Sequence, residues 1–396
     1  MSSDQRKKII VLMINMFIAI GSFGIIIPIL PAYLQSIGQG GTAAGLMMGI
    51  FAAFQFIFSP LAGKWSDMYG RKKMITYGLI GLTIASFIFY VSDSVLTLYI
   101  SRAVGGIGAA LLVPAIFAYV ADITTFEQRA KGNSYVSAAM SLGIVVGPGI
   151  GGFLAEFGIK FPLLVSALVS LVAVIFSITI LKESKVVTEN SGPMVNDNES
   201  MMKKIARTSK MPYFIPLIIT FVMSFGLIAF ESVIGLYLDH EFQSTAKDIA
   251  VMVTATGIVS VIAQLFLVER IVNRFGEASV LVTFVGVCAT GFLLSLFASS
   301  YSFFFIVSLV IFLSTSILRP VLNTLISKLA GNEQGFAMGM NNAYMSIGNI
   351  MGPTLAGVLY DVNIMYPFIL GLIFLIITLA ITVQWRKKSA VKVTAA

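Results

Sequence analysis

The 396-residue chain is 57% hydrophobic and only 11% charged, with a formal net charge of +8 and one cysteine. Soluble domains carry about 25% charged residues, so this chain has too few of them to cover a water-facing surface. The composition predicts an integral membrane protein, and a single cysteine excludes a disulfide framework or a thiolate metal site.

Twelve apolar stretches are long enough to cross a membrane as helices, since each span needs about 20 residues. In chain order they are 9–34, 43–62, 74–92, 96–120, 134–157, 161–181, 213–238, 249–268, 279–298, 302–326, 336–360 and 366–385. The chain starts with a basic and then apolar segment, as a signal peptide does. However, the apolar run continues to Leu34 without a small-residue cleavage site, which predicts a retained first helix.

The distribution of basic residues predicts the orientation of these helices. With a cytoplasmic N terminus, most of the 26 Lys and Arg residues fall in the tails and the cytoplasmic loops, whereas outside loops hold only Lys160 and Lys247. Basic residues are enriched on the cytoplasmic side of membrane proteins, so we expect both termini there. This asymmetry explains the basic net charge without nucleic acid as a partner.

The longest polar interruption divides the predicted helices six and six. It is rich in Ser, Asn, Gly and charged residues, as expected of a linker. We therefore predict an N-terminal six-helix half over 1–181, a cytoplasmic linker over 182–212, and a C-terminal six-helix half with a short basic tail over 213–396.

A repeat relates the two halves. The segment "SLGIVVGPGIGGFLAE" at 141–156 corresponds to "SIGNIMGPTLAGVLYD" at 346–361, and both fall in the fifth helix of their half. The shared positions are Gly143 with Gly348, Gly147 with Gly352, Pro148 with Pro353 and Gly152 with Gly357. Repeated halves are a signature of secondary transporters, in which the binding site lies between the repeats near the membrane midplane.

Glycines are spaced four residues apart in the first copy, at 143, 147 and 151. Such a stripe lets another helix approach closely, and Pro148 adds a bend that neighbouring helices can accommodate. We expect a packing and bending hinge at the interface between the halves, and no substrate contact.

Several stretches resemble one transporter family. They are "GKWSDMYGRKK" at 63–73, "LYISRAVGGIGAA" at 98–110, "GIVVGPGIGG" at 143–152, "GIIIPILPAY" at 24–33 and "FGLIAFESVIGLY" at 225–237. The chain resembles the major facilitator superfamily, and within it the twelve-helix drug:proton antiporters. The resemblance implies an all-α membrane fold of two pseudo-symmetric six-helix halves. It also implies proton-coupled efflux of hydrophobic and cationic molecules by alternating access.

Glu231 is the acidic residue that lies deepest inside a predicted span. An acid at that depth costs roughly 2.5–3.5 kcal/mol or more, which makes it a candidate functional group. A proton and a cationic substrate could compete for this carboxylate, which is a minimal antiport mechanism; a structural hydrogen bond is the alternative. Some relatives carry a second acid where this chain has Ser316, so we expect Glu231 to be the sole embedded acid.

Two arginines lie within predicted helices. The resemblance implies that Arg319 lines the cavity and tunes Glu231, and that Arg102 belongs to the proton path. In both cases the alternative is a long side chain that extends along the helix to the membrane surface.

Lone polar side chains in apolar helices predict a cavity, because lipid would leave them unsatisfied. The polar candidates are Gln55 on the second helix, Asn15 on the first, and Asn341 with Asn349 on the eleventh; Phe51 shares the helix face of Gln55 and is a candidate with it. Hydrogen bonding between helices is the alternative for these residues.

The 63–73 loop predicts a latch on the cytoplasmic side. Gly63 and Gly70 permit close backbone approach. Asp67 can accept hydrogen bonds from a helix N terminus, and Arg71 can pair with a carboxylate, for which the resemblance suggests Asp122. A loop that serves only orientation is the alternative.

The matching loop of the second half, 269–277, differs at two of these positions. It carries Asn273 in place of Asp67 and Glu277 in place of Arg71. We therefore expect an asymmetric latch.

Other functions fit less well. Export of a specific metabolite or amphipathic lipid is the main alternative, and a nutrient symporter is disfavoured by the antiporter-type motif. An enzyme would need a cluster of His, Ser or acidic residues in the membrane, and a channel would need repeated polar rings. No phosphate-binding loop is present, so we expect no cofactor besides the proton. We expect a monomer in a bacterial cell membrane, with small molecules, protons and the lipid bilayer as its partners.

Overall fold

The computed structural model describes residues 3–184, 208–209, 211–330 and 334–394, and regular structure within them is helical. The α-helices are α1 Ser3–Gly24, α2 Ile26–Ser36, α3 Gly41–Tyr69, α4 Arg71–Val91, α5 Val95–Ile123, α6 Phe126–Leu154, α7 Phe161–Ile180, α8 Phe214–Phe242, α9 Ala246–Phe266, α10 Val268–Phe275, α11 Glu277–Ser295, α12 Tyr301–Ala330, α13 Gln334–Val362 and α14 Tyr366–Thr394. A short 3-10 turn, Ala155–Phe157, follows α6.

Eleven helical segments in this part of the chain are long and apolar enough to cross a membrane. Helices α1 and α2 together form the first of them, and α10 is too short to span. All twelve stretches that the sequence marked fall on helices, but α13 is not among the eleven. Its three asparagines, Asn341, Asn342 and Asn349, lower its hydropathy. Twelve spans and their orientation therefore stay predictions.

Contacts between Cα atoms divide the chain into two compact units. Unit 1 comprises Met1–Gly192 and Leu238–Thr254. Its core is formed by buried aliphatic side chains and Tyr119, with Leu12, Leu79 and Ile116 fully enclosed. A Cβ at Gly78 would lie 2.7 Å from the carbonyl oxygen of Gly108, so α4 and α5 pack backbone to backbone.

Unit 2 comprises Pro193–Tyr237 and Ala255–Ala396. Its core contains an aromatic cluster around Phe230 of α8. The rings of Phe292, Phe304, Phe312 and Phe368 lie 5.5–6.1 Å from that of Phe230. Aromatic pairs at such distances add stability beyond the area that they bury.

The glycine stripe of α6, formed by Gly143, Gly147 and Gly151, packs against the first span of its own half. A Cβ at Gly147 would lie 2.7 Å from the carbonyl oxygen of Gly21, and one at Gly151 would collide with that of Ile25. In unit 2, Gly348 and Gly352 of α13 approach the α8 backbone near 221–225 in the same way. The repeat therefore preserves a close contact between the fifth and first helices of each half.

A second surface of α6 contacts another part of unit 1. A Cβ at Gly149 would lie 3.1 Å from the hydroxyl oxygen of Thr254, and one at Gly152 would collide with Ala250 of α9. The same end of α6 is followed by Glu156, whose carboxylate pairs with Lys247 at 2.9 Å. These small residues hold the start of α9 against α6.

Candidate functional site

Arg71 is the centre of a charged cluster in unit 1. Its Nη2 donates to the Asp67 carboxylate at 2.6 Å, its Nε to Asp122 at 3.2 Å, and its Nη1 to the Ser66 hydroxyl at 3.0 Å. The residue is 8% exposed, so the three contacts satisfy most of its buried donors. Arg71 thereby ties the end of α3, the start of α4 and the end of α5 together.

Glu183 belongs to the same cluster, although the sequence did not identify it. Its Oε1 accepts hydrogen bonds from the backbone N–H groups of Arg71 at 2.7 Å and Lys72 at 3.3 Å. These are otherwise unpaired donors of the first turn of α4, and a carboxylate there also interacts favourably with the helix dipole. Ser184 donates to the Asp122 carboxylate at 2.9 Å, so the chain that leaves α7 is fastened to the cluster.

The two glycines of the 63–73 loop differ. Gly70 has φ of +102°, and a Cβ there would collide with the Glu183 carboxylate. Glycine is therefore required at position 70 for two reasons: the positive φ, and the lack of space for a Cβ beside the Glu183 carboxylate. At Gly63, an added Cβ would meet nothing within 4 Å among the residues described, so the close approach expected there is not found.

The corresponding junction of unit 2 retains its geometry. Gly276 has φ of +73° and precedes α11, as Gly70 precedes α4. Glu277 begins α11, and its carboxylate pairs with Lys328 near the end of α12. An ion pair therefore links the start of α11 to the end of α12, although the sequence of the 269–277 loop differs from that of the 63–73 loop.

A cavity of about 210 Å³ lies in unit 2 between α8, α12 and α13. Its walls combine hydroxyl, amide and guanidinium groups with Leu and Met side chains. The lining residues are Thr220, Met223, Ser224, Leu227, Thr315, Arg319, Leu322, Asn323, Asn341, Asn342 and Met345. Ligand pockets commonly combine an apolar lining with a few polar groups in this way.

Hydrogen bonds connect the three walls of this cavity. The Thr220 hydroxyl donates to Asn341 Oδ1 at 2.9 Å, and Asn341 Nδ2 donates to Asn323 Oδ1 at 2.8 Å. Asn341, predicted to line the cavity, does so and also forms the interhelical bonds that were the alternative. Thr220 and Asn323 were missed, although Thr220 is the one threonine of α8 and Asn323 is the one asparagine of α12.

Glu231 lies one turn beyond the cavity wall. Leu227 lines the cavity, and Glu231 follows it by four residues on the same face of α8. Arg319, an exposed residue of the α12 wall, is the basic group whose charge acts on the Glu231 carboxylate. The structure thus brings Glu231 and Arg319 into one electrostatic environment.

Arg102 is buried in unit 1, with 6% of its surface exposed. Its guanidinium lies 4.9 Å from the centre of the Phe89 ring, and its Nε has no hydrogen-bond partner among the described residues. It borders a void of about 10 Å³ lined by Phe23, Met47 and other apolar side chains. Since Arg102 is buried, it does not extend outward along α5.

The remaining cavity candidates occupy different places. Asn15 is fully buried and donates to the Ser177 hydroxyl at 2.8 Å, so it links α1 to α7; it lines neither of the two cavities described above. Phe51 packs its ring 5.0 Å from that of Phe23. Gln55 lies one turn further along α3 and is half-buried, and Asn349 has a buried Oδ1 without a partner in the described ranges.

Comparison with known proteins agrees with this architecture. The model of the Major Facilitator Superfamily matches residues 12–237 and 216–395. The chain is 42% identical to Multidrug resistance protein 2 of Bacillus subtilis over 98% of its own length and 97% of that protein. It is 32% identical to Quinolone resistance protein NorA of Staphylococcus aureus, over 93% of this chain and 94% of that one.

A solved structure shows the same fold at low sequence identity. The crystal structure of a bacterial homologue of the human lysosomal transporter Spinster superposes with a TM-score of 0.80, covers 98% of both chains and is 13% identical. Together with the repeated fifth-helix glycines, the Arg71 cluster and the matches along nearly the whole sequence, this leads to one conclusion. The chain is a multi-pass membrane transporter that belongs to the major facilitator superfamily.

Proposed function

We propose that this protein is a proton-coupled multidrug efflux antiporter of a bacterial cell membrane. It exports hydrophobic and cationic small molecules by alternating access, and it contributes to antibiotic resistance in the cell that carries it. The observation that carries this proposal is Glu231, an acid within a membrane helix, beside a cavity whose wall bears Arg319. The names of the similar Bacillus and Staphylococcus proteins support multidrug efflux.

Glu231 is the proposed coupling group. In its charged form it attracts a cationic substrate, and in its protonated form it does not, so a proton and a substrate exclude each other at one carboxylate. Arg319 is the proposed partner of this carboxylate, because it lines the cavity beside which Glu231 lies. Moving one charge through 100 mV provides about 2.3 kcal/mol, which supports a roughly 50-fold gradient without ATP.

The Arg71 cluster is the proposed gate element on the cytoplasmic side. It fixes the ends of α3, α4 and α5 as one rigid corner, through Asp67, Asp122 and Glu183. Twelve spans with both termini in the cytoplasm place this corner and the 182–212 linker on the same side. The protein acts as a monomer, with the proton as coupling ion and no bound cofactor.

Ethidium efflux from vesicles with an imposed pH gradient tests this function. We compare the wild type with Glu231→Gln, which keeps the size of the side chain and removes its titration. Glu241→Gln, at the exposed end of the same helix, is the matched control. We expect uphill efflux driven by the pH gradient in the wild type and the control, and its loss in Glu231→Gln.

Uphill, pH-driven efflux by an equally expressed Glu231→Gln variant would show that coupling resides elsewhere. A wild type that moves no cationic dye would instead favour export of a specific metabolite or an amphipathic lipid by the same fold.

A further inference from the structure

The hydrogen bonds that cross the unit 2 cavity run in one direction. Thr220 donates to Asn341, and Asn341 donates to Asn323. Asn341 is 3% exposed and Thr220 is 7% exposed, so this part of the chain of bonds is shielded. Because the Asn323 oxygen accepts the last bond, the free end of the chain is the Asn323 amide NH₂ group.

The Asn323 NH₂ group is available to a ligand. Asn323 is half-buried and lines the cavity, and within the described ranges its nitrogen donates to no protein acceptor. With Asn341 accepting from Thr220, a flipped Asn323 amide would place two NH₂ groups against each other, so the Asn323 NH₂ group is the end that faces the cavity. The position of this NH₂ group is therefore set by buried residues on two other helices.

Arg319 extends the same donor surface. It precedes Asn323 by four residues, so the two side chains are neighbours on one face of α12. An arginine offers five N–H donors and no acceptor. The hydroxyl of Thr315, one turn before Arg319, donates to the backbone oxygen of Phe312 at 3.0 Å and offers no donor to the cavity. Arg319 and Asn323 are therefore the two residues whose N–H groups form the donor surface of the α12 wall.

We propose that Asn323 is a specificity-determining residue, oriented by Thr220 and Asn341, that favours substrates with a carbonyl or carboxylate oxygen. This inference rests on the proposed efflux function and adds a polar requirement to it. A substrate with a cationic group and a carboxylate places the cation towards Glu231 and the oxygen against Asn323 and Arg319. A purely aromatic cation gains nothing from the donor surface.

The alternative is that the three side chains only hold α8, α12 and α13 together. The two accounts differ in which substrates respond to a change at Asn323. A structural role affects every substrate alike, because it acts through the shape of the cavity. A recognition role affects the Michaelis constant of substrates that bear an acceptor oxygen.

The test uses full-length protein in proteoliposomes and two probes. Ethidium is an aromatic cation without a carbonyl or carboxylate, whereas norfloxacin carries a carboxylate and a ring ketone. Asn323→Leu removes the donor at similar size. Asn323→Asp keeps the acceptor for Asn341 and removes the NH₂ group. Thr324→Val is the control, since Thr324 is exposed and, within the described ranges, its hydroxyl bonds to the backbone oxygen of Pro320 in its own helix.

We expect Asn323→Leu and Asn323→Asp to raise the KM for norfloxacin about tenfold, as for loss of a hydrogen bond to a charged group, with less than a threefold change for ethidium. Thr220→Val removes the hydrogen bond that orients Asn341. We expect it to raise the ratio of the norfloxacin KM to the ethidium KM by a smaller factor than the Asn323 variants do. Thr324→Val leaves the ratio at the wild-type value.

Equal changes of KM for both probes in the two Asn323 variants, or no change for either, would overturn the specificity role while leaving efflux itself intact. Failure of the wild type to move either probe would overturn the proposed function and this inference with it. Thermal unfolding in detergent accompanies each variant. A matched loss of stability and of both transport rates counts for the structural role.

Discussion

Lys328 forms an ion pair with Glu277 at the place where the first half pairs Asp122 with Arg71. Glu277 lies 206 residues after Arg71, and Lys328 lies 206 residues after Asp122. The charges are exchanged between the two pairs, while the helix ends that they connect correspond. The repeat therefore preserves the contact between the start of the third helix and the end of the fourth, and not the residue types.

The exchanged ion pair predicts a charge-reversal rescue. Lys328→Glu places two carboxylates together, and we expect a several-fold loss of transport rate at unchanged expression. The Lys328 side chain is 63% exposed, so the effect on unfolding is small, below about 1 kcal/mol. The double variant with Glu277→Lys restores the pair and the rate, which dye efflux from cells measures. If the double variant is no better than Lys328→Glu alone, the pair has no role in transport.

Glu183 predicts a stability effect at the cytoplasmic cluster. Glu183→Ala leaves the first N–H groups of α4 without their acceptor, which costs about 0.5–2 kcal/mol for a lost helix cap. We expect a lower melting temperature in detergent, measured by tryptophan fluorescence. Glu183→Gln, which retains an acceptor oxygen, loses less. Equal melting temperatures for the wild type and the alanine variant would show that the cap is not formed.

The two loop glycines predict opposite outcomes for the same substitution. Gly70→Ala forces a side chain into a positive φ, at a cost of order 1–3 kcal/mol, and displaces Glu183. We expect reduced thermal stability and reduced efflux. Gly63→Ala introduces a methyl group into open space and serves as the matched control, with near wild-type behaviour. A Gly63→Ala variant as impaired as Gly70→Ala would contradict the packing described for this loop.

Gly147 predicts that transport depends on the contact between α6 and α1. A leucine there cannot be accommodated against the Gly21 backbone, so the two helices must separate. We expect Gly147→Leu to insert into the membrane but to stall ethidium efflux. Gly286→Leu is the control, because among the described residues a Cβ at Gly286 would meet the flexible end of Leu379 at 3.8 Å and no backbone atom within 4 Å. Wild-type efflux by Gly147→Leu would show that this close contact is dispensable.

Long-range periodicity made much of the fold predictable. Apolar runs marked the helices, and the repeated Gly and Pro residues related the fifth and eleventh helices. The helix that packs against the glycine stripe was not predictable, because a stripe of small residues indicates only that some helix packs closely there. The structure shows that the partner of Gly143 and Gly147 is α1.

The charged cluster and the cavity illustrate the same limit. Arg71 and Asp122 could be suggested as partners because motif and resemblance name them, whereas Glu183 follows an unremarkable helix end. Its role arises only when the end of α7 meets the start of α4. Asn323 is likewise one polar residue among several on α12, and its significance depends on a hydrogen bond from Asn341.

Proton movement driven by substrate tests the central claim most directly. Purified protein is reconstituted into liposomes that contain a pH-sensitive dye, and an ethidium gradient is imposed without any initial pH difference. The account predicts that ethidium flux moves protons in the opposite direction in the wild type and in Glu241→Gln, and that Glu231→Gln moves none. Ethidium flux without proton movement in the wild type, or undiminished proton movement in Glu231→Gln, would contradict antiport through Glu231.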